Sequence, residues 1–171
     1  MKKTYYYIGT DPGGKGGVCI LNSKDDEVRV FKMPDTCAGL WSILDFDKPK
    51  GNFYVIHGIE RLWPRQQRSA RSTFMMGIEA GSCEALHTML RVLYRSTHSQ
   101  CHIIAPQTWQ AKTGCPKRPK TGNSDKDYSQ HKKNLWHYAE SLYPQIRILK
   151  DVADSVLIAH YFKLEHEHGQ I

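Results

Sequence analysis

Four acidic residues, Asp11, Glu60, Asp151 and Asp154, stand where a hydrolytic metal site would need them. Asp11 closes the apolar run YYYIGTD and faces the turn PGGKGG. Glu60 closes a second such run, FYVIHGIE. Asp151 and Asp154 are spaced i and i+3, on one face of the first turn of a helix. Singly, each has an ordinary role. Asp before Pro-Gly is turn chemistry, and a strand-end Glu can simply be solvated. Asp151 can cap the helix and Asp154 can complement its dipole. Together they form a pattern. Side chains alternate along a strand, so Gly9 shares a face with Asp11 and Gly58 with Glu60. If the two strands are neighbours, open space is expected beside both acids. Clustered carboxylates repel unless protonated or bridged by cations. Hard oxygen ligands without Cys or His favour Mg²⁺ or Mn²⁺. Two such ions can activate water and stabilise the leaving oxygen of a phosphodiester.

The elements that must position these acids follow from periodicity and punctuation. Strands are predicted over 4–10, 17–22, 27–32, 53–60 and 101–105, the first three forming an antiparallel meander. Thr36 caps a short helix to about Phe46. A long helix is predicted over 73–95, with Phe74, Ile78, Ala85, Leu86, Met89, Leu90 and Leu93 near one side. Pro106 ends the last strand. Further helices run from Tyr128 to Leu142 and from about Asp151 onward. The order β-β-β-α-β-α-β-α-α implies a single α/β domain over 1–171, with one mixed sheet and helices on its faces.

Composition narrows the class. The chain has 171 residues and a formal net charge of +7, which suits one domain with a polyanionic partner. Its five cysteines are odd in number and include no C-x-x-C, so a disulfide framework or zinc knuckle is not expected. No apolar run reaches membrane-spanning length and no signal-peptide pattern opens the chain; the expectation is a soluble, intracellular protein.

Five segments in order, IGTDPGGKGG, VIHGIERL, STFMMGIEAGSCEAL, APQTWQAKTG and DVADSVLIAHYF, resemble the RuvC-like Holliday-junction resolvases. The resemblance runs from residue 7 to about 162. It implies the RNase H-like fold, with a five-stranded mixed sheet flanked by helices. It further implies a homodimeric, Mg²⁺-dependent endonuclease that nicks two strands of a four-way DNA junction symmetrically. Asp11, Glu60, Asp151 and Asp154 match the family's catalytic, metal-holding carboxylates. The polar His57-Gly58-Ile59, the Arg-rich loop after Glu60 and an apparent insertion from Cys115 to Asn123 depart from the pattern and point to a divergent or phage-type member.

Around the acids stand candidates for DNA contact. Lys15 tips the glycine turn and can pair with phosphate or stay solvated. Gly13, Gly14, Gly16 and Gly17 beside it would let a phosphate backbone approach closely. Leu62 and Trp63 follow Glu60 and can wedge between bases, or pack on their own loop. Arg65, Arg68 and Arg71 lie in that loop. Lys112, Lys117, Arg118, Lys120, Lys126, Lys132 and Lys133 make the densest basic patch, whose expected role is phosphate binding. Trp109 is expected in the core, and the EHEH tail at 165–168 as a solvated helix end. Gly77, Gly81 and Ala85 form a small-residue stripe, read first as helix-on-sheet packing and second as a dimer contact.

Three rivals remain at this level. An actin-like kinase or ATPase also opens with strand, Asp and glycine turn, but needs two such domains. Another RNase H-like nuclease acting on flaps or RNA–DNA hybrids would carry the same carboxylates. A non-catalytic junction-binding protein would not need all four.

Overall fold

The structure is a computed structural model describing residues 3–45, 53–62 and 99–171, together with Phe74, Gly77, Ile78, Gly81, Ser82, Ala85, Thr88 and Val92. Strands β1 (Thr4–Asp11), β2 (Gly17–Asn22), β3 (Val28–Lys32), β4 (Phe53–Glu60) and β5 (Ser99–Ile104) form one five-stranded sheet in the order β3-β2-β1-β4-β5. The β1–β2 and β2–β3 pairs are antiparallel hairpins, and β4 runs parallel to both β1 and β5. The predicted mixed sheet is therefore present. Its helices among the described residues are α1 (Cys37–Leu44), α2 (Pro106–Lys112), α3 (Ser124–Leu142) and α4 (Ala153–Glu167), the last preceded by a 3₁₀ turn at Lys150–Val152.

Alternation along the strands splits the core in two. Tyr6, Ile8, Val18, Ile20, Val55 and Ile59 face α1, where Leu40 and Leu44 are buried. Tyr7, Cys19, Leu21 and Ile56 face the other layer, packing with Val156, Leu157 and Phe162 of α4 and Leu135 of α3. The middle of α4 is apolar almost all round, and its residues Ala153 to Ala159 are buried. Such a helix must be enclosed on every side, here by the sheet and α3.

That enclosure corrects the meaning of the strand glycines. A Cβ at Gly9 would run into the backbone oxygen of Ser155 and lie 2.5 Å from the Ala159 nitrogen. At Gly58 it would lie 2.5 Å from Cδ2 of the Phe162 ring. The glycines do not leave open space beside the acids; they let α4 lie against the sheet. This close approach brings the start of α4 to the strand ends that carry Asp11 and Glu60.

Three helices differ from expectation. Helix α4 begins at Ala153, so Asp151 falls on the preceding 3₁₀ turn rather than in the helix's first turn beside Asp154. Helix α2 was not anticipated, because Pro106 marks a strand end and also the first turn of a helix, where its missing N–H costs nothing. Helix α3 begins at Ser124, four residues earlier than the apolar period indicates. The Asn123 side chain caps it, accepting from the Lys126 N–H at 3.0 Å.

Phe74, Gly77, Ile78, Gly81, Ala85 and Val92 are helical, as expected, but exposed; Phe74 retains 69% of its accessible surface. A Cβ added at Gly77 or Gly81 meets nothing within 4 Å among the described residues. The stripe is therefore not a helix-on-sheet contact, and Phe74, Ile78 and Ala85 are not core residues. Leu86, Met89, Leu90 and Leu93 lie outside the described residues. At the other end of the chain, the EHEH tail is half packed. Glu165 is buried on Lys112 and the Tyr161 hydroxyl, and His166 shares a hydrogen bond with Tyr7.

Candidate active site

Parallel pairing of β1 and β4 sets Gly9 opposite Gly58 and Thr10 opposite Ile59, so Asp11 and Glu60 emerge side by side. Asp11 is pinned at the turn: its Oδ1 accepts from the Gly13 N–H at 3.2 Å. Gly16 donates to the Gly13 carbonyl at 2.6 Å, closing the loop. A side chain at Gly16 would strike the Asp11 backbone, and one at Gly17 would meet Val152. These two glycines serve internal packing rather than DNA approach. Gly13 has more room, its nearest neighbour being Asp11 Oδ1 at 3.5 Å.

Glu60 is held from the next strand's exit. Its Oε2 accepts from the indole N–H of fully buried Trp109 at 3.0 Å. Trp109 is thus a core residue, as expected, and also a clamp on an acid. Burial, reinforced by the negative charges of Asp11 and Asp154, pushes the Glu60 carboxyl up to about 8, despite the Trp109 hydrogen bond and the Lys132 charge. Asp154, at the start of α4, is buried and ion-paired with Lys132 of α3. Burial works against the Lys132 charge, but the Asp154 carboxylate and the more distant Asp11 outweigh it and hold the ammonium above its ordinary range. Asp151 is exposed on the 3₁₀ turn. Asp11, Glu60 and Asp151 line one open cleft of about 1070 Å³. Asp154 sits just behind it, within electrostatic reach of Glu60.

Among the described residues, no three His, Cys, Asp or Glu side chains close into a ready-made metal cage. The donor chemistry nevertheless fits a hard divalent cation. The acids offer only oxygen, and the push on Glu60, mainly from burial and then from the Asp11 and Asp154 charges, opposes an ionised carboxylate that a cation would favour.

No family model matches the sequence, and no curated protein matches it. Solved structures do. The chain aligns over 97% of its length with 96% of Thermus thermophilus RuvC in complex with a Holliday junction substrate, at TM-score 0.57 and 10% identity. A second Thermus thermophilus RuvC structure matches at TM-score 0.52 and 12% identity, with the same coverage. The chain has the RuvC-like, RNase H-type fold.

Within this RuvC-like fold the DNA-contact candidates separate. Lys15, Leu62, Arg118 and Lys132 line the cleft. Lys117, Lys120, Lys126 and Lys133 are exposed but outside its lining. Lys112 is turned to Glu165, with its Nζ at 2.7 Å from the carboxylate. Trp63, Arg65, Arg68 and Arg71 lie outside the described residues. Lys132 is not a loose member of the basic patch, since it is the cation of Asp154. Sequence inspection also passed over Gln107, Gln110, Tyr128, His131 and Lys150, which complete the cleft wall. A helix period counted from Asn123 would have found two of them, because Tyr128 and His131 are three residues apart on one face of α3.

Lys132→Gln should leave Asp154 buried without its cation. The expected loss of stability is on the order of 3 kcal/mol, read as a lower thermal midpoint. Adding Asp154→Asn to that variant should recover part of the loss. Strict additivity of the two substitutions would show that the pair does not couple.

Among the described residues, no helix is long and apolar enough to cross a membrane.

Proposed function

We propose that the protein is a structure-selective DNA endonuclease that resolves four-way junctions by paired, symmetric nicks. The observation that carries this is the convergence of Asp11, Glu60, Asp151 and Lys132 on one cleft with a cationic rim, with Asp154 paired to Lys132 behind it, at the strand ends of a RuvC-like fold. The similar Thermus protein was solved with a Holliday junction, which makes this substrate the first to test.

Asp11, Glu60, Asp151 and Asp154 would hold the metal ions, Mg²⁺ or in its place Mn²⁺. When bound, a pair of such ions supplies activation of water and stabilisation of the leaving oxygen of the phosphodiester. The chain's own groups do the positioning. The indole of Trp109 fixes one oxygen of Glu60. Lys132 holds Asp154 in place through their ion pair. Lys15 and Lys150 stand on the cleft lining, where they can meet the phosphates flanking the cut.

One such cleft cuts one strand, whereas a junction needs two opposed cuts. A two-fold homodimer supplies both, matching the junction's own symmetry. The exposed face bearing Phe74, Ile78 and Val92, with Gly77, Gly81 and Ala85 allowing close approach, is the surface we assign to that contact.

The test is cleavage of labelled four-way junction, duplex, flap and RNA–DNA hybrid under Mg²⁺. Paired nicks in the four-way junction, with the others spared, are expected. Preferential cutting of hybrid or flap would assign the same acids to a different RNase H-like nuclease. Junction binding without cutting of any substrate would make this a non-catalytic binding protein.

A further inference from the structure

One wall of the cleft is not built for phosphate alone. Tyr128, in the second turn of α3, is 41% exposed and lines the cleft with Asp11, Glu60 and Asp151. The guanidinium of Arg118 lies over its ring, with Cζ at 5.6 Å from the ring centroid. That guanidinium is tethered a second way, since its Nη2 donates to the Ser124 carbonyl at 2.7 Å and to the Ser124 hydroxyl at 3.2 Å. Both bonds use Nη2, and a guanidinium has five N–H donors. A fixed, planar cation and an aromatic face thus stand together at the mouth of an acidic cleft. Behind them are amides and a ring: Gln107, Gln110 and His131 line the same cleft. His131 Nε2 shares a 3.3 Å hydrogen bond with Gln110 Oε1. The buried Nδ1 of His131 has no partner among the described residues.

We infer that Tyr128 and Arg118 form a shelf for one unstacked base of the substrate strand, next to the phosphate to be cut. The inference rests on the nuclease reading of the cleft and adds what the cleft recognises. Lysines on flexible stems would suffice for phosphate. An exposed aromatic ring backed by a planar cation offers stacking area, which any base can use. Amide and imidazole groups behind it offer the donors and acceptors that a base edge presents and a phosphate does not. Bases within a duplex are already stacked on their neighbours. The shelf therefore favours a strand at a branch point, where a base can leave the stack at little cost. Selectivity for branched DNA would then arise in each cleft, in addition to any dimer geometry.

The test uses the full chain and a fluorescent four-way junction in buffer without divalent cation, so that no strand is cut. Abasic nucleotides are placed one at a time through the positions flanking the crossover, and Kd is measured for each. Wild-type protein should lose about 5- to 100-fold in affinity when the shelved base is removed, the range expected for one stacked base. Tyr128→Ala should lose a similar factor on the intact junction and nothing further on the abasic one. Tyr128→Phe should behave as wild type, and Tyr128→Leu, which keeps bulk without a flat ring, as Tyr128→Ala. Equal abasic penalties in wild type and Tyr128→Ala, or no penalty at any position, would overturn the shelf. Mg²⁺-dependent cutting of the intact junction is scored separately. The abasic pattern without cutting removes the nuclease reading and keeps the shelf. Cutting without the pattern removes the shelf alone. Failure to bind any junction removes both.

Discussion

Asp11→Asn, Glu60→Gln, Asp151→Asn and Asp154→Asn should each slow junction cleavage on the order of 1000-fold while junction binding is kept or tightened. On the proposed reading, each substitution removes a metal-ligand charge and no phosphate contact. Charge stabilisation by the ions is worth several kcal/mol, and each loss of about 1.36 kcal/mol is tenfold in rate. Measured single-turnover rates beside Kd values check this, and a variant cutting at wild-type rate would remove that residue from the site. Glu60→Gln carries a second readout. In the folded chain this carboxyl holds its proton up to about pH 8, whereas its ordinary value is 4.5. Folding is therefore favoured most below 4.5, and the advantage is lost as pH rises through about 8. Without metal, Glu60→Gln should melt above wild type at pH 9 and lose that margin near pH 4. An identical margin at both values would mean that burial and the neighbouring acids do not disfavour the Glu60 charge.

Gly9→Ala should cost about 3 kcal/mol or more, because the new methyl meets helix backbone rather than a movable side chain. For a domain of ordinary stability that is a large share of the total. Loss of the α4 approach would also separate Asp154 from the strand-end acids, so activity should fall with folding. Gly13→Ala is the matched control, since its methyl would meet only Asp11 Oδ1 at 3.5 Å. It should fold normally. Comparable melting temperatures for the two variants would show that α4 does not need the glycine at position 9.

Much of this architecture could be read from the residues. Strand ends at Asp11 and Glu60 required no tertiary information, whereas the i, i+3 spacing of Asp151 and Asp154 did not show that one is exposed on a 3₁₀ turn and the other buried in α4. The glycines required tertiary information too. A glycine on a strand signals either open space or close approach, and only the neighbouring element decides which. The near-continuous apolar run from Val152 to Ala159, broken by Asp154 and Ser155, marks a helix enclosed on all sides, and that run explains Gly9 and Gly58. Lys132 was hidden because a dense run of lysines reads as one phosphate-binding patch. Its own position, one residue after buried His131 and four after Tyr128, distinguishes it from Lys133, which points to solvent. The stripe at Gly77 and Gly81 misled for the opposite reason, since small residues at four-residue spacing pack equally well on a sheet or on a second copy.

Paired cutting is tested most directly on a supercoiled plasmid that extrudes a cruciform, a four-way junction within one molecule. With Mg²⁺, wild-type protein should convert it mainly to linear product within one binding event, because two opposed strands are cut together. Mixed dimers of wild-type and Asp11→Asn chains should leave nicked circles, because only one cleft is active. Linear product from protein that is monomeric on the junction, or equal cutting of a plasmid with no cruciform, would contradict the account.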